Sequence, residues 1–593
     1  WSTPQGVSVR RVNSTRGRGR SNIPSIGLFV WRLRPYSISH APAYCVDRVN
    51  HHYTFSILGN SIPLMTRPVA DPLLSPLGDE LSVPTWIRRR AFVEGPADYY
   101  GLGKSLCIWW EDPDHPIPLE AIVPADLSDW RYSPQHDQVA VDPRLGRIVF
   151  SARNAPRRGV WVTYHYGFSA EIGGGEYDRP LRSTSSYILD TRKQEVADPN
   201  TPPPRQRYYR VGEKGEFKSI TEALERWGSH RPAEAIVEIL DSGDYVEQIQ
   251  ILLDVGQHLE LRAANGKRPV IRLLDWSANL LDALHVGRRP LSSDESSGAA
   301  GPEPEEEHQV GPSDAEPAAS LVPPVSPPRL VLDGLLIAGR GLQIVDELAE
   351  VIVRHCTLVP GWRLQHDSEP ENGSEPSLEL VDSSAKLVVE HSIIGSIRVN
   401  DSETESDPIV VTVSDSILDA TAPELEALSA PDGRHAHAVL TVVRSTVIGS
   451  IVTHAIDLAE NSIFAGSVRV ARRQQGCMRF CSLAPDSRAP RRYNCQPDLV
   501  LTAAQAQDPA GETGLAARES LRVRPQFSSV RYGTPTYCRP AASCAPEIRR
   551  GADDEAAMGA FHDLFEAQRE TNLQTRLDEY TPAGTDAGIV FVT

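Results

Sequence analysis

Three nearly identical stretches of twelve residues constrain the fold of this chain more than any other feature. They are VVEHSIIGSIRV at 388–399, VVRSTVIGSIVT at 442–453 and AENSIFAGSVRV at 459–470. Weaker copies begin at Cys356 and Ser416, so the five copies start 36, 24, 29 and 17 residues apart. One apolar pattern repeated at variable spacing is typical of a solenoid, in which insertions enter between successive turns of the chain.

The repeat predicts a mainly β protein in which residues 208–500 form a right-handed parallel β-helix. In each copy a Ser or Asn marks a turn, and the following Val and Ile residues stack on those of the next copy. We therefore expect Ile393, Val447 and Ile463 to lie in the interior. The stretch VGEKGEFKSITEALERWG at 211–228 predicts an amphipathic helix, which would cover the first turn of the solenoid.

Composition divides the rest of the chain. Residues 1–46 hold seven Arg and no acidic residue, which predicts a basic strap on a neighbouring protein, or else an arm that grips a nucleic acid or an acidic partner. Short alternating apolar runs predict an all-β, sandwich-like domain over 47–189. The proline-rich residues 190–207 predict a linker, and 501–593 predict a C-terminal cap with a helix from about Asp554 to Tyr580.

The acidic stretch 291–328 has too few apolar residues to fold, so we expect a disordered insertion or a docking tail for a basic partner. The whole chain carries a net charge of −18, which disfavours nucleic acid and anionic membranes as main partners. No apolar stretch reaches the length of about 20 residues that spans a bilayer. The sequence starts with Trp rather than Met, and we expect its true N-terminus to lie further upstream.

Catalysis by a β-helix enzyme requires acidic residues from neighbouring turns to converge on one face. The nearest such cluster is Asp415, Asp419 and Glu424, and their positions favour solvated turns. We therefore predict no catalytic residues and no cofactor. The aromatic residues of 109–110 and 161–166 alternate along strands, which favours a place in the core over a platform for sugars.

Five of the eight cysteines fall close together near the end of the repeats: Cys477, Cys481, Cys495, Cys538 and Cys544. Four thiolates can bind zinc, but these spacings are looser than the paired C-x₂-C of zinc sites. Disulfides and buried free thiols are the other two interpretations. His435 and His437 flank one Ala in a predicted loop, where we expect both to be exposed.

Four segments resemble large phage-tail-like proteins found with bacterial contractile injection systems. They are SNIPSIGLFVWRLRPY at 21–36, AVDPRLGRIVF at 140–150, YHYGFSAEIGGGEYDRP at 164–180 and the stretch from RRGADDEAAMG to RLDEY at 549–580. The resemblance implies an N-terminal tail-protein region joined to a β-helical part, in a particle assembled in the cytoplasm and then released or docked on a membrane. No catalytic residues are carried over from the resemblance.

The predicted function is therefore a structural component of such a particle, near its baseplate, with other tail and baseplate proteins as partners. The alternative is a tailspike-like β-helix protein that binds or cleaves carbohydrate, with a cell-surface glycan as its ligand.

Overall fold

The computed structural model describes residues 25–69, 80–112, 114–180, 207–273, 284–290, 327–400, 407–511, 513–582 and 585–592. The predictions for residues 1–24, for the linker up to residue 206 and for the acidic insertion up to residue 326 lie outside these residues. Within them the protein is mainly β with large parallel sheets, which confirms the predicted class.

Among the described residues, nine strands and two short α-helices form the N-terminal part of the protein. In chain order they are β1 (Ser25–Trp31), β2 (Arg34–Pro42), β3 (Tyr44–Asp47), β4 (His52–Thr54), α1 (Arg89–Glu94), α2 (Pro96–Tyr99), β5 (Leu106–Trp110), β6 (Ile122–Pro124), β7 (Val139–Asp142), β8 (Arg147–Phe150) and β9 (Val160–Phe168). Strands β2, β9 and β5 form an antiparallel sheet, and β3, β4, β8, β7 and β6 form a second sheet. The two sheets share one core, to which Ile38 and Tyr164 contribute from the first sheet, and Tyr53 and Phe150 from the second.

Between residues 207 and 493, the described part of the chain contains short strands that pair in parallel. They are β10 (Arg207–Val211), β11 (Glu234–Ile239), β12 (Asp244–Val246), β13 (Gln250–Leu253), β14 (His258–Ala263), β15 (Val270–Leu273), β16 (Leu284–Arg288), β17 (Arg329–Asp333), β18 (Leu336–Gly339), β19 (Leu342–Val345), β20 (Glu350–Arg354), β21 (Thr357–Leu358), β22 (Leu378–Val381), β23 (Lys386–Glu390), β24 (Ile393–Ile394), β25 (Ile397–Asn400), β26 (Ile409–Ser414), β27 (Ile417–Asp419), β28 (Glu426–Ser429), β29 (Ala436–Val443), β30 (Thr446–Ile448), β31 (Ser450–Glu460), β32 (Ile463–Phe464), β33 (Val468–Val470), β34 (Cys477–Arg479) and β35 (Arg491–Tyr493).

These strands pair in three ladders, and the chain passes through the ladders in a fixed order. Ladder 1 joins β10, β11, β14, β17, β20, β23, β26, β29, β31, β34 and β35. Ladder 2 joins β13, β16, β19, β22, β25, β28, β31 and β33. Ladder 3 joins β12, β15, β18, β21, β24, β27, β30 and β32. From β11 onward the chain visits ladders 1, 3 and 2 in turn, and one such passage is called a rung below.

The predicted interior stack is correct for one of its three residues. Val447 lies in the large core enclosed by the ladders, in register with Leu418 and Phe464 of the neighbouring strands. Ile393 and Ile463 are also buried, but they are in register with the residue before Val447 and lie on the outer face of ladder 3. A shift of one residue moves a side chain to the opposite face of a strand, which accounts for the error.

The predicted amphipathic helix is confirmed as α3 (Ile220–His230), which buries Ile220, Ala223, Leu224 and Trp227. The Ser219 hydroxyl accepts a hydrogen bond from the Glu222 backbone N–H at 3.2 Å, a standard N-terminal cap. The helix packs against β10, β11 and β13, where the first strands would otherwise expose their apolar side chains.

The C-terminal segment runs back along the ladders. Its elements are α4 (Asp498–Gln507), α5 (Leu515–Arg522), α6 (Pro546–Arg549), α7 (Glu566–Tyr580) and β36 (Asp586–Val592). Helix α7 begins at Glu566 and not near Asp554, because residues 554–565 form turns that pack on ladder 3. Phe561 lies in one apolar cluster with Ile393 and with Ile172 of the N-terminal part, so this cluster joins all three parts of the protein.

Candidate functional site

The turns from ladder 1 to ladder 3 repeat one backbone conformation, and this repetition explains three of the eight cysteines. Seven turn residues have a positive φ between 44° and 52°, a rare conformation for residues other than glycine; they are His355, His391, Asp415, Arg444, Asn461, Phe480 and Asn494. Each is followed by a small residue with a buried hydroxyl or thiol; these are Cys356, Ser392, Ser416, Ser445, Ser462, Cys481 and Cys495.

The buried hydroxyl of each turn connects it to its neighbours. The Ser445 hydroxyl accepts a hydrogen bond from the Ser416 N–H at 3.2 Å and donates one to the Val443 carbonyl at 2.8 Å. The Cys481 thiol lies 3.2 Å from the carbonyl two residues earlier, as the serine hydroxyls do. Burial raises the pKa of Cys481 well above its ordinary value. This thiol therefore occupies a serine position of the repeat.

The five candidate zinc ligands lie in separate places. Cys481 and Cys495 are adjacent in the turns, and Cys477 is exposed on β34. Cys538 is buried against the outer face of ladder 3, and Cys544 lies in another apolar cluster. In the described part of the chain, no three of these thiols come close enough to hold one ion.

The acidic candidates Asp415, Asp419 and Glu424 do not converge on one site. Asp415 forms a bidentate ion pair with Arg444, at 2.6 and 2.7 Å, and Glu424 is exposed. Asp415 exposes only 8% of its surface, so its expected place in a solvated turn is wrong. The same expectation is wrong for Asp419, because only 2% of its surface is exposed. Its carboxylate accepts hydrogen bonds from the Tyr537 hydroxyl at 2.5 Å and from the Thr421 N–H at 2.7 Å. Burial raises the pKa of Asp419 to about 6.

The two histidines of the predicted loop differ from each other. His435 is exposed, as expected. His437 is buried on β29, and its ring contacts that of His454 edge-on with 5.5 Å between the centroids. The expectation for His437 is therefore wrong. Strand β29 already begins at Ala436, so His437 lies within the strand and its side chain packs against the neighbouring rung. The predicted aromatic residues are buried or half-buried in the N-terminal part, as expected.

A polar cleft of about 390 Å³ lies where the three parts of the protein meet. The rings of His355 and His391 contact each other on one wall in a tilted arrangement, with 5.0 Å between their centroids, and the Tyr177 hydroxyl lies 3.2 Å from His355 Nδ1. Other walls come from β2, from residues 170–180 and from 560–569. Its acidic groups are largely paired within the protein, since Glu171 lies 3.5 Å from Arg34 and Asp415 binds Arg444. The cleft is therefore mainly a joint between elements.

One group of possible metal ligands was missed by sequence reasoning. His562 Nε2 lies 3.2 Å from the Asp554 carboxylate, and Asp553 completes a group whose ligand atoms lie within 4.8 Å of one another. His562 Nδ1 lies 3.0 Å from Asp563. Burial opposes protonation, but the hydrogen bond to Asp563 and the charge of Asp554 raise the pKa of His562. This favours the imidazolium form of His562, which the carboxylates of Asp554 and Asp563 stabilise.

The two ends of the described chain meet in a parallel ribbon of β1 and β36. Among the described strands neither has a second partner, and Ile26 and Phe29 of β1 expose 42% and 52% of their surfaces. The ribbon is attached through Arg32, whose guanidinium group lies 2.8 Å from the Glu566 carboxylate. Two paired strands are marginal alone, and parallel pairs normally lie covered on both faces. The ribbon is therefore the best candidate for a contact with another chain.

Comparison with known proteins finds no matching family model, no similar curated protein and no similar solved structure. Among the described residues, each helix is too short or too polar to span a bilayer.

Proposed function

We propose that this protein is a structural component of a phage-tail-like contractile injection particle, at or near its baseplate. The single observation that carries the proposal is the ribbon of β1 and β36, which exposes apolar side chains on strands with open edges. Such a ribbon is stabilised when a strand or an apolar surface of a neighbouring subunit covers it. The assignment to a contractile particle rests on the resemblance of four segments.

Three of the four resembling segments meet at the joint between the parts of the protein. Phe168 of the segment 164–180 packs edge-on against Phe561 of the segment 549–580, with 6.2 Å between the ring centroids. Arg32 of the segment 21–36 pairs with Glu566, and Arg539 lies 3.1 Å from the same carboxylate. The resembling segments therefore include residues that hold the N-terminal part against the ladders. This supports the proposal that the protein shares the arrangement of its parts with the phage-tail-like proteins, and not only one domain.

We infer further that β10–β35 form a parallel β-helix that acts as a rigid arm or interaction surface. The fixed order of the three ladders and the common core of their inner faces support this arrangement. The repeated turn hydrogen bonds link each rung to the next, so bending the arm would break several of them together. We propose no catalysis, since Asp415 and Asp419 are engaged with Arg444 and Tyr537.

Two surface variants test the proposal without unfolding the protein. Ile26→Ser with Phe29→Ser removes apolar surface from the ribbon, and Val49→Ser with Leu102→Ser removes exposed apolar surface elsewhere. Contractile particles are purified from cells that produce each variant, and the protein is quantified by immunoblotting beside sheath and tube proteins. We expect the ribbon variant to be lost from the particles and the control to remain. Wild-type protein that never copurifies with sheath and tube would refute the particle assignment.

A further inference from the structure

The last rungs carry a patch of five exposed arginines, named here the basic corner: Arg469, Arg472, Arg473, Arg488 and Arg491. Arg469 lies on β33, and Arg488 pairs directly beside it in the next rung. Arg472 and Arg473 occupy the turn from ladder 2 to ladder 1, and Arg491 begins β35. The patch therefore follows the corner between ladders 2 and 1. This corner is remote from ladder 3, against which the N-terminal part and the C-terminal segment pack.

These guanidinium groups have no acidic partner within the described part of the chain, where no carboxylate lies within 4.0 Å of any of them. Two arginines nearby do have one: Arg479 pairs with Glu460 at 2.6 Å and Arg492 with Asp498 at 3.0 Å. Arg469 and Arg488 form a parallel β-bridge, and segments paired in this way lie about 4.8 Å apart. Like charges in such direct neighbours repel, so an anion at this corner would stabilise it.

The charge of this corner differs from the rest of the protein. Residues 466–493 contain seven Arg, no Lys and one acidic residue, in a chain whose net charge is −18. Earlier rungs expose acidic residues in the turns from ladder 2 to ladder 1, including Asp346, Glu347 and Asp382. Exposed arginines are therefore concentrated at the end of this corner.

We propose that the basic corner binds an acidic polysaccharide. Guanidinium groups form paired hydrogen bonds with carboxylates, and repetition of arginines across rungs suits a chain of repeated acidic sugars. Tyr493, which exposes 64% of its surface beside Arg491, offers a ring against which a sugar can pack. The exposed residues between the arginines include the polar side chains Gln474 and Gln475, which can donate hydrogen bonds to sugar hydroxyl groups.

Long duplex nucleic acid fits these observations less well. Its binding requires a broad basic surface, and the net negative charge of the protein would repel the parts of a duplex that extend beyond this corner. The inference goes beyond the proposed function and is independent of it, because binding by the isolated full-length protein does not depend on any particle.

The experiment measures binding of the purified full-length protein to immobilised polygalacturonate, with neutral dextran as the reference surface. The test variant is Arg469→Ser with Arg488→Ser and Arg491→Ser. The matched control removes the same charge from exposed positions of the N-terminal part, as Arg48→Ser with Arg90→Ser and Arg131→Ser. We expect wild type and control to bind alike, the test variant to bind about tenfold more weakly or worse, and wild-type affinity to fall between about 50 and 200 mM NaCl.

Three results would overturn the proposal. Equal affinities of the test and control variants would show that the basic corner is not the binding site. Equal retention on dextran and polygalacturonate would show that binding does not depend on the acidic groups of the polysaccharide. Absence of wild-type binding at the lower salt concentration would refute an acidic polysaccharide as ligand. The same assay with polyglutamate and with duplex DNA identifies the competing partners: tighter binding of either than of polygalacturonate would replace the proposal with an acidic protein or a nucleic acid.

Discussion

Replacing Asp419 by Asn should change how the stability of this protein depends on pH. The carboxyl group of Asp419 is buried between ladder 3 and the C-terminal segment, where Tyr537 donates a hydrogen bond to it. Among the described residues no cation pairs with it, and burial raises its pKa from 3.8 to about 6. Since the folded state binds the proton more tightly, the stabilising contribution is complete below pH 3.8 and is lost as the pH rises through 6.

The magnitude follows from the two pKa values. A difference of about 2 pH units at 1.36 kcal/mol per unit corresponds to about 3 kcal/mol in the free energy of unfolding. Asn keeps an oxygen for the Thr421 N–H and carries no charge, so the variant avoids this loss. Relative to wild type, Asp419→Asn should gain up to about 3 kcal/mol between pH 4 and pH 7 and should change little above that range.

The assay is urea unfolding of wild type and variant at a series of pH values, followed by circular dichroism. Taking the difference between the two proteins cancels every group that titrates equally in both. The conservative variant Asp419→Glu keeps a titratable carboxyl group at this position. Its free energy of unfolding should therefore depend on pH as that of wild type does. If the difference in unfolding free energy between wild type and Asp419→Asn stays constant from pH 4 to pH 8, the pKa of Asp419 is not raised in the folded protein.

The remaining predictions concern the ladders and the joint. Val447→Asp should destabilise the protein by several kcal/mol, because it buries an unpaired charge, whereas Val410→Asp on an exposed face should cost less than about 1 kcal/mol in thermal unfolding. Cys481→Ser should leave the melting temperature nearly unchanged, since serine fills the same turn position in four other rungs, and Cys481→Val should lower it by leaving the Ser462 N–H without an acceptor. Glu566→Ala should cost about 3–5 kcal/mol in urea unfolding, because it leaves two buried guanidinium groups without their carboxylate.

The repeat predicts the succession of strands well, but it does not distinguish the two faces of ladder 3. Both Ile393 and its neighbour Ile394 are buried, one under distant segments and the other in the core. Alternation of polar and apolar residues normally identifies the solvent face, and here that signal is missing because both faces are covered. The position of Cys481 was predictable, since it follows the same pattern as Ser445 and Ser462, and aligning the turns would have revealed it.

The candidate site was harder to predict because its contacts join residues far apart in the chain. Asp419 is buried because Tyr537, 118 residues later, packs over it. The ribbon with its exposed apolar side chains likewise depends on β1 pairing with β36, which lies far away in the sequence. Local sequence contains no signal for such pairings, whereas the cap helix α3 was predictable because its apolar face and its N-terminal serine lie within one short stretch.

Cryo-electron microscopy of contractile particles from cells that produce an epitope-tagged copy can locate this protein within the particle. We expect tag-bound antibody at or near the baseplate and density there that accommodates the ladders as a straight arm, with strands about 4.8 Å apart. The ribbon of β1 and β36 should lie against a neighbouring subunit. Particles that carry a complete baseplate but neither the antibody nor this density would show that the protein is not a baseplate component.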